Sequence, residues 1–148
     1  DLFGSHWHDL NNLPEIWQIR LKKIIEKLNP QKCTDKREVI SKYKFSLCLE
    51  NVAYPGYVTE KIIDCFVAGV VPLYLGAPDI EDFVPKNSFI DLRDFDNFQQ
   101  LTNCIEQMTT ERGMEIIKCG RMFLNSPEGR KYSYEGLAEN VMELAYVK

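Results

Sequence analysis

From Tyr43 to Gly76 the chain reads YKFSLCLENVAYPGYVTEKIIDCFVAGVVPLYLG. The apolar and aromatic run from Tyr43 to Leu49 predicts a strand, and it ends in the polar pair Glu50-Asn51. The chain then turns through Pro55-Gly56. A helix follows from about Val58 to Ala68, with Thr59, Glu60 and Lys61 in or beside its first turn and Gly69 placed to close it. Val70 to Leu75 is almost continuously apolar, as in a central parallel strand covered on both faces. Pro72 lacks a ladder donor, so a bulge or an edge pairing has to absorb it.

The flanking pattern is mostly helical. Asp1 to Trp7 reads as the end of a strand running into a glycine turn. Trp17, Leu21, Ile24, Ile25 and Leu28 recur at helical spacing between Pro14 and the Asn29-Pro30 stop, with lysines 22, 23 and 27 on a solvated face. A polar loop leads to a short helical turn at Asp35 to Lys42, where Asp35 and Glu38 fit a capping box. After the Gly76-Ala77-Pro78 loop come a helical turn at Ile80 to Phe83 and a short strand from Ser88 to Leu92. Helices are predicted at Phe95–Met108, Arg112–Leu124 and Tyr134–Tyr146, the last two separated by a turn at Ser126-Pro127-Glu128-Gly129. Alternating strands and helices predict an α/β layered domain, Rossmann-like, with a largely parallel sheet.

Composition narrows the partners. The 148 residues make about one domain, and the net charge of −4 comes with scattered positive charges, which excludes a nucleic-acid face. No apolar run reaches membrane-spanning length. Asp1-Leu2-Phe3-Gly4 has neither the basic region nor the apolar core of a signal peptide, and a start at Asp within an apolar pattern reads as a piece of something longer. The cysteines at 33, 48, 65, 104 and 119 are odd in number and lack C-x-x-C spacing. Free, largely buried thiols in a reducing compartment fit that pattern better than a disulfide framework, and no Asn-x-Ser/Thr acceptor is present. The expectation is a cytoplasmic protein.

Ligands of open α/β sheets bind beyond the strand C-termini, where Glu50 and Asn51 fall. Asn51 can donate and accept to a sugar or phosphate edge, or the pair can simply close the loop. Tyr57 either stacks on a nucleoside or packs the loop. Thr59, Glu60 and Lys61 stand where free N–H groups favour an anion, and Lys61 would add a full charge for a diphosphate. Glu60 cannot favour phosphate; it suits ribose hydroxyls or a solvated helix start. Asp94-Phe95-Asp96 has the form of a cation-binding D-x-D, yet it sits immediately before the regular Phe98–Met108 part of the predicted helix, where Asp96 is expected to be an N-cap. His6 and His8 lack a third ligand nearby, so no metal is expected. Walker and G-x-G-x-x-G patterns are absent, which disfavours an NTPase or a dinucleotide oxidoreductase.

The stretch YKFSLCLENVAYPGYVTEKIIDCFVAGVVPLYLGAPDIEDFVP resembles the family-10 glycosyltransferases, the α-1,3/1,4-fucosyltransferases. The shared features are a strand ending in Leu-Glu-Asn, a short loop, Tyr57-Val58-Thr59-Glu60-Lys61 with an apolar helix, a Val-Pro-Leu-Tyr-Leu-Gly strand and a Phe-Val-Pro segment. The resemblance implies the C-terminal, donor-binding half of a GT-B enzyme that transfers L-fucose from GDP-fucose to an N-acetylglucosamine-containing glycan with inversion. It implies no cofactor beyond the donor substrate. Donor contacts would be Asn51, Tyr57, Thr59, Glu60 and Lys61, with Lys61 on the diphosphate, Glu60 on the ribose side with support for oxocarbenium charge, and Tyr57 on the nucleoside. The general base would come from an N-terminal acceptor domain outside residues 1–148, so this chain alone is expected to bind GDP weakly and not to transfer fucose. A bacterial cytoplasmic enzyme, working at the inner membrane face on a surface polysaccharide such as lipopolysaccharide, is the matching setting. The competing readings are a GT-B domain for another nucleotide sugar and a non-catalytic nucleotide-binding or interaction module.

Overall fold

The computed structural model describes residues 34–146, together with the isolated helical positions Glu15, Gln18, Ile19 and Lys22. Those four positions agree with the first predicted helix. The rest of that helix, its Asn29-Pro30 stop, the strand end before Trp7, the His6/His8 pair and Cys33 lie outside the described residues.

Three parallel strands form the sheet in the order β1 (Phe45–Leu49), β2 (Val71–Leu75) and β3 (Ile90–Asp91). β2 lies in the middle and is buried at every position, as its apolar run predicted. Alternate residues of β2 serve opposite faces. Tyr74 joins Ile62, Phe66 and Val84 in one core cluster, while Leu73 and Leu75 join Leu92 and Leu101 in the other.

Pro72 sits in the ladder without a bulge, in register with Ser46. The neighbouring Val71 N–H donates toward β1, to Lys44 O at 3.0 Å. Successive residues of a strand direct their backbone groups to opposite sides, so the Pro72 nitrogen faces β3. Pairing with β3 begins only at Leu73, opposite Ile90, so no ladder donor is needed at Pro72. Neither a bulge nor an edge strand accommodates it: Pro72 lies on the central strand, one residue before the β3 pairing starts.

β3 is shorter than the predicted Ser88–Leu92 strand because single 3₁₀ turns at Lys86–Ser88 and Leu92–Asp94 flank it. The second turn is fixed by the Asp91 carboxylate, which accepts from the Arg93 backbone N–H at 2.9 Å.

The helix α1 (Lys36–Ile40) starts as expected at Asp35, whose Oδ1 accepts from the N–H groups of Arg37 and Glu38 at 2.9 and 3.1 Å. Glu38 pairs with Lys42 one turn on, at 3.0 Å. α2 (Glu60–Ala68) ends at Gly69, whose φ of 74° is the left-handed conformation that glycine adopts without strain. α1 docks on α2 through the buried Asp64, which takes Lys36 Nζ and Arg37 Nε, each at 2.9 Å.

α3 (Phe98–Glu106) begins later than predicted, and its cap is Asn97, which accepts from the Gln100 N–H at 3.0 Å. The expectation of Asp96 as the cap is corrected. Asp96 instead exchanges hydrogen bonds with the Gln100 side chain, donating its N–H at 3.0 Å and accepting from Nε2 at 3.3 Å. α4 (Thr110–Leu124) packs against α2, where Gly120 lets the Phe66 ring approach. The Ser126–Gly129 stretch forms a short helix, α5 (Pro127–Arg130), and α6 (Tyr134–Tyr146) matches its predicted span.

Candidate functional site

The polar cluster at the C-terminal ends of β1 and β2 is built around Glu50. Its backbone N–H continues the ladder to Leu75 O at 2.9 Å, so the side chain is aimed by the sheet itself. That side chain has no exposed surface, yet it is fully partnered. Oε1 accepts from the Thr59 N–H at 2.9 Å, Oε2 accepts from the Thr59 hydroxyl at 2.7 Å, and Oε2 also accepts from Lys61 Nζ at 3.0 Å. Thr59 Oγ1, having given its single proton to Glu50, accepts from Lys61 Nζ at 3.2 Å.

Thr59 occupies the N-cap position of α2 in extended conformation, but its side chain makes no cap bond within the helix. Its donors are committed to Glu50 instead. The protein's own carboxylate thus takes one of the N–H groups expected to attract an external anion. The positive charge left facing solvent is the Lys61 ammonium, whose side chain is 26% exposed.

The other expected donor contacts are arranged less compactly. Glu60 is the first residue of α2, and its exposed carboxylate points toward Lys36 Nζ at 3.5 Å. Partial burial opposes its ionisation, but its own backbone N–H, Lys36 and Lys61 outweigh that and hold the carboxyl below its usual range. Asn51 and Tyr57 are exposed on the loop between β1 and α2. That loop turns at Tyr54-Pro55-Gly56-Tyr57, where Tyr57 N–H returns to Tyr54 O at 3.0 Å and Gly56 has a φ of 77°. Proline followed by a positive-φ glycine is the type II arrangement. Asp79 ties the turn down by accepting from the Gly56 N–H at 2.9 Å.

Three contributors were not fully legible in sequence. Sequence places Glu50 at the ligand-binding end of β1 or in a loop-closing pair, but its burial and lysine contact are tertiary facts. Gly76 reads in sequence only as part of the loop after β2. A Cβ there would overlap Glu50 Cγ and stand 2.6 Å from the Tyr74 hydroxyl and 2.8 Å from Glu50 Cβ. Tyr74 was read as an apolar strand residue; its one available signal was the hydroxyl, which must find a partner when buried. That hydroxyl accepts from the Ala77 N–H at 3.0 Å and so fixes the loop after β2.

Burial holds the Tyr74 phenol neutral beyond the range where a tyrosine normally ionises, against the influence of Ala77 N–H and Arg93. In the unfolded chain a tyrosine loses its proton from about pH 10. Above that pH the folded state retains a proton that the unfolded state has released, so stability falls as pH rises. Urea midpoints should therefore drop between about pH 9 and about pH 11, and Tyr74→Phe should flatten part of the drop. An unchanged slope in the variant would remove Tyr74 from the account.

Cys48 and Cys65 lie beneath the cluster with their sulfurs 3.2 Å apart, both buried and free. The hydrogen bond to Cys65 and burial push the Cys48 thiol well up, which suits packing and not nucleophilic chemistry. Among the described residues no group of three or more His, Cys, Asp or Glu side chains could hold a metal. A groove of about 620 Å³ between Phe83, Val84 and Pro85 on one side and Cys119, Met122 and Phe123 on the other shares no residue with the Glu50 cluster.

Comparison with known proteins follows the same stretch. The model of glycosyltransferase family 10 (fucosyltransferase), C-terminal part, matches residues 9–114. The chain is 39% identical over 105 residues to alpha-(1,3)-fucosyltransferase FucT of Helicobacter pylori, covering 70% of this chain and 22% of that protein. It is 42% identical over 69 residues to alpha-(1,4)-fucosyltransferase of Arabidopsis thaliana, covering 47% of this chain and 17% of that protein. A crystal structure of an alpha1,3-fucosyltransferase with GDP-fucose superposes with a TM-score of 0.62 at 27% identity, over 78% of this chain and 37% of the other. The chain thus spans about a fifth of the length of these curated relatives.

Proposed function

Because this chain belongs to glycosyltransferase family 10, the fucosyltransferases, we propose that it forms the donor-binding domain of an enzyme that transfers L-fucose from GDP-fucose. The observation that carries this reading is the Lys61 ammonium, held at the C-terminal ends of two parallel strands with part of its surface open. A fixed cation there supplies what a nucleoside diphosphate needs and what a leaving GDP needs as its negative charge grows. Lys61 falls within residues 9–114, the part that the fucosyltransferase family model matches.

Around that cation the other roles follow from exposure and chemistry. Tyr57 offers an exposed aromatic face to the nucleoside, and Asn51 offers a donor and an acceptor at the loop start. Glu60, kept ionised, offers its carboxylate to ribose hydroxyls and to the positive charge that develops on the fucosyl ring. The architecture is the C-terminal half of a GT-B enzyme. The acceptor is an N-acetylglucosamine-containing glycan, attacked with inversion, and the general base comes from the N-terminal domain. Both relatives are named as fucosyltransferases while differing in linkage, which fits a domain that handles the donor and leaves the acceptor to its partner domain.

Calorimetric titration with GDP, GDP-fucose, GDP-mannose and UDP tests the reading. Binding of GDP and GDP-fucose in preference to UDP is the expected outcome. A preference for UDP would reassign the donor, and no binding of any nucleotide would leave a non-catalytic module.

A further inference from the structure

A carboxylate beside a phosphate-binding lysine is a costly choice if affinity is the only goal. The Glu50 charge stands 3.0 Å from Lys61 Nζ and partly cancels the attraction an incoming diphosphate would feel. Burying that charge also carries a desolvation cost that a neutral residue would avoid. The return has to be something other than net charge, and the geometry shows what it is.

Lysine is a compact charge on a flexible four-carbon stem. Left to itself, the ammonium would sample solvent, and a ligand would have to order it on binding. Here Glu50 cannot move: its backbone is the last rung of the β1–β2 ladder, Gly76 leaves room for its side chain and no more, and Thr59 holds both carboxylate oxygens. An ammonium has three donors. Glu50 and Thr59 take two of them, at 3.0 and 3.2 Å, which leaves one for the solvent side.

We propose that Glu50 is a positioning residue that, together with the Thr59 hydroxyl, fixes Lys61 so that its remaining N–H is presented to the donor diphosphate. The proposal rests on the donor-site reading given above. It adds that the motif works as a unit of three side chains, of which one touches the ligand. Glu50 never meets the donor; it sets where the cation stands before the donor arrives.

The test is a double-mutant cycle on the full chain, read with GDP and with guanosine, which lacks the phosphates. Glu50→Gln keeps the size and one carbonyl acceptor for the Thr59 N–H but removes the anion that holds Lys61. It should weaken GDP binding about tenfold and leave guanosine within about twofold. In a Lys61→Ala background the same substitution should change GDP affinity by less than about twofold, because Glu50 then has nothing to act through. Thr59→Val should reproduce the GDP-selective loss and Thr59→Ser should restore it, a rescue that general destabilisation would not produce. Acetic anhydride labelling of Lys61, followed by mass spectrometry without any nucleotide, should rise in Glu50→Gln. A GDP loss that persists in the Lys61→Ala background, or that guanosine shares equally, overturns the proposal, as does unchanged labelling. If labelling rises but Lys61→Ala itself does not distinguish GDP from guanosine, Glu50 still positions Lys61 and the donor-site reading is what fails.

Discussion

Lys61→Ala is expected to weaken GDP binding by about 10- to 100-fold, the loss that follows from removing one charged hydrogen bond worth about 1.5–3 kcal/mol. Guanosine affinity should hardly change, because the ammonium stands at the phosphate end of the proposed site. The same substitution is also expected to lower stability, by about 3 kcal/mol. The reason is Glu50: its side chain has no exposed surface, and it would lose its counter-ion while keeping its charge. Thr59 still donates twice to that carboxylate, which limits the damage. Adding Glu50→Gln to Lys61→Ala removes the stranded charge and should recover part of the lost stability. Calorimetry with both ligands and urea denaturation of the three variants would show this. Equal losses for guanosine and GDP would mean the substitution had disturbed the whole loop instead of one contact.

Gly76→Ala is the second large effect, and it should cost about 3 kcal/mol or more by overpacking. The added methyl would overlap Glu50 Cγ and press on the Tyr74 hydroxyl. Neither neighbour can yield cheaply, since both are buried, and each carries hydrogen bonds that position a loop. Gly113→Ala in α4 is the natural control. Its added Cβ would meet only Val71 Cγ2, at 3.9 Å, which is ordinary contact, and alanine favours a helix by about 1 kcal/mol over glycine. Urea midpoints that fall equally in the two variants would show that backbone preference, and not crowding at Glu50, sets the cost.

Much of the framework was legible because its signals are local. The apolar run of β2, the helical pattern of α2 and the glycine that ends it are decided by residues within a few positions of one another. The Pro55-Gly56 turn and the Asp35 cap belong to the same class. Errors arose where two local solutions compete. Asp96 and Asn97 are both good caps, and the chain uses Asn97 while Asp96 pairs with the Gln100 side chain. Ser88 and Leu92 are compatible with a strand, yet they fall in the 3₁₀ turns on either side of β3.

The candidate site divides along the same line. Thr59 and Lys61 stand out in sequence because a helix start announces itself. Glu50 does not, because nothing within its own neighbourhood says that a glutamate at a strand end is sealed from water. The fact emerges only when β1, β2 and α2 are brought together. Gly76 is its counterpart: a glycine after a strand reads as a turn, and the carboxylate it makes room for is 26 positions earlier in the sequence.

The clasp between Glu50 and Thr59 has one more consequence. It joins residues nine positions apart and so closes the intervening loop into a ring whose two ends are anchored independently of what lies between. Doubling the length of such a loop costs only about 0.6 kcal/mol of closure entropy. Segments 51–58 of different length or composition could therefore be grafted between the anchors without displacing Lys61. That separates the part of the site that can drift in evolution, or be exchanged by design to alter recognition of the base, from the part that has to stay still.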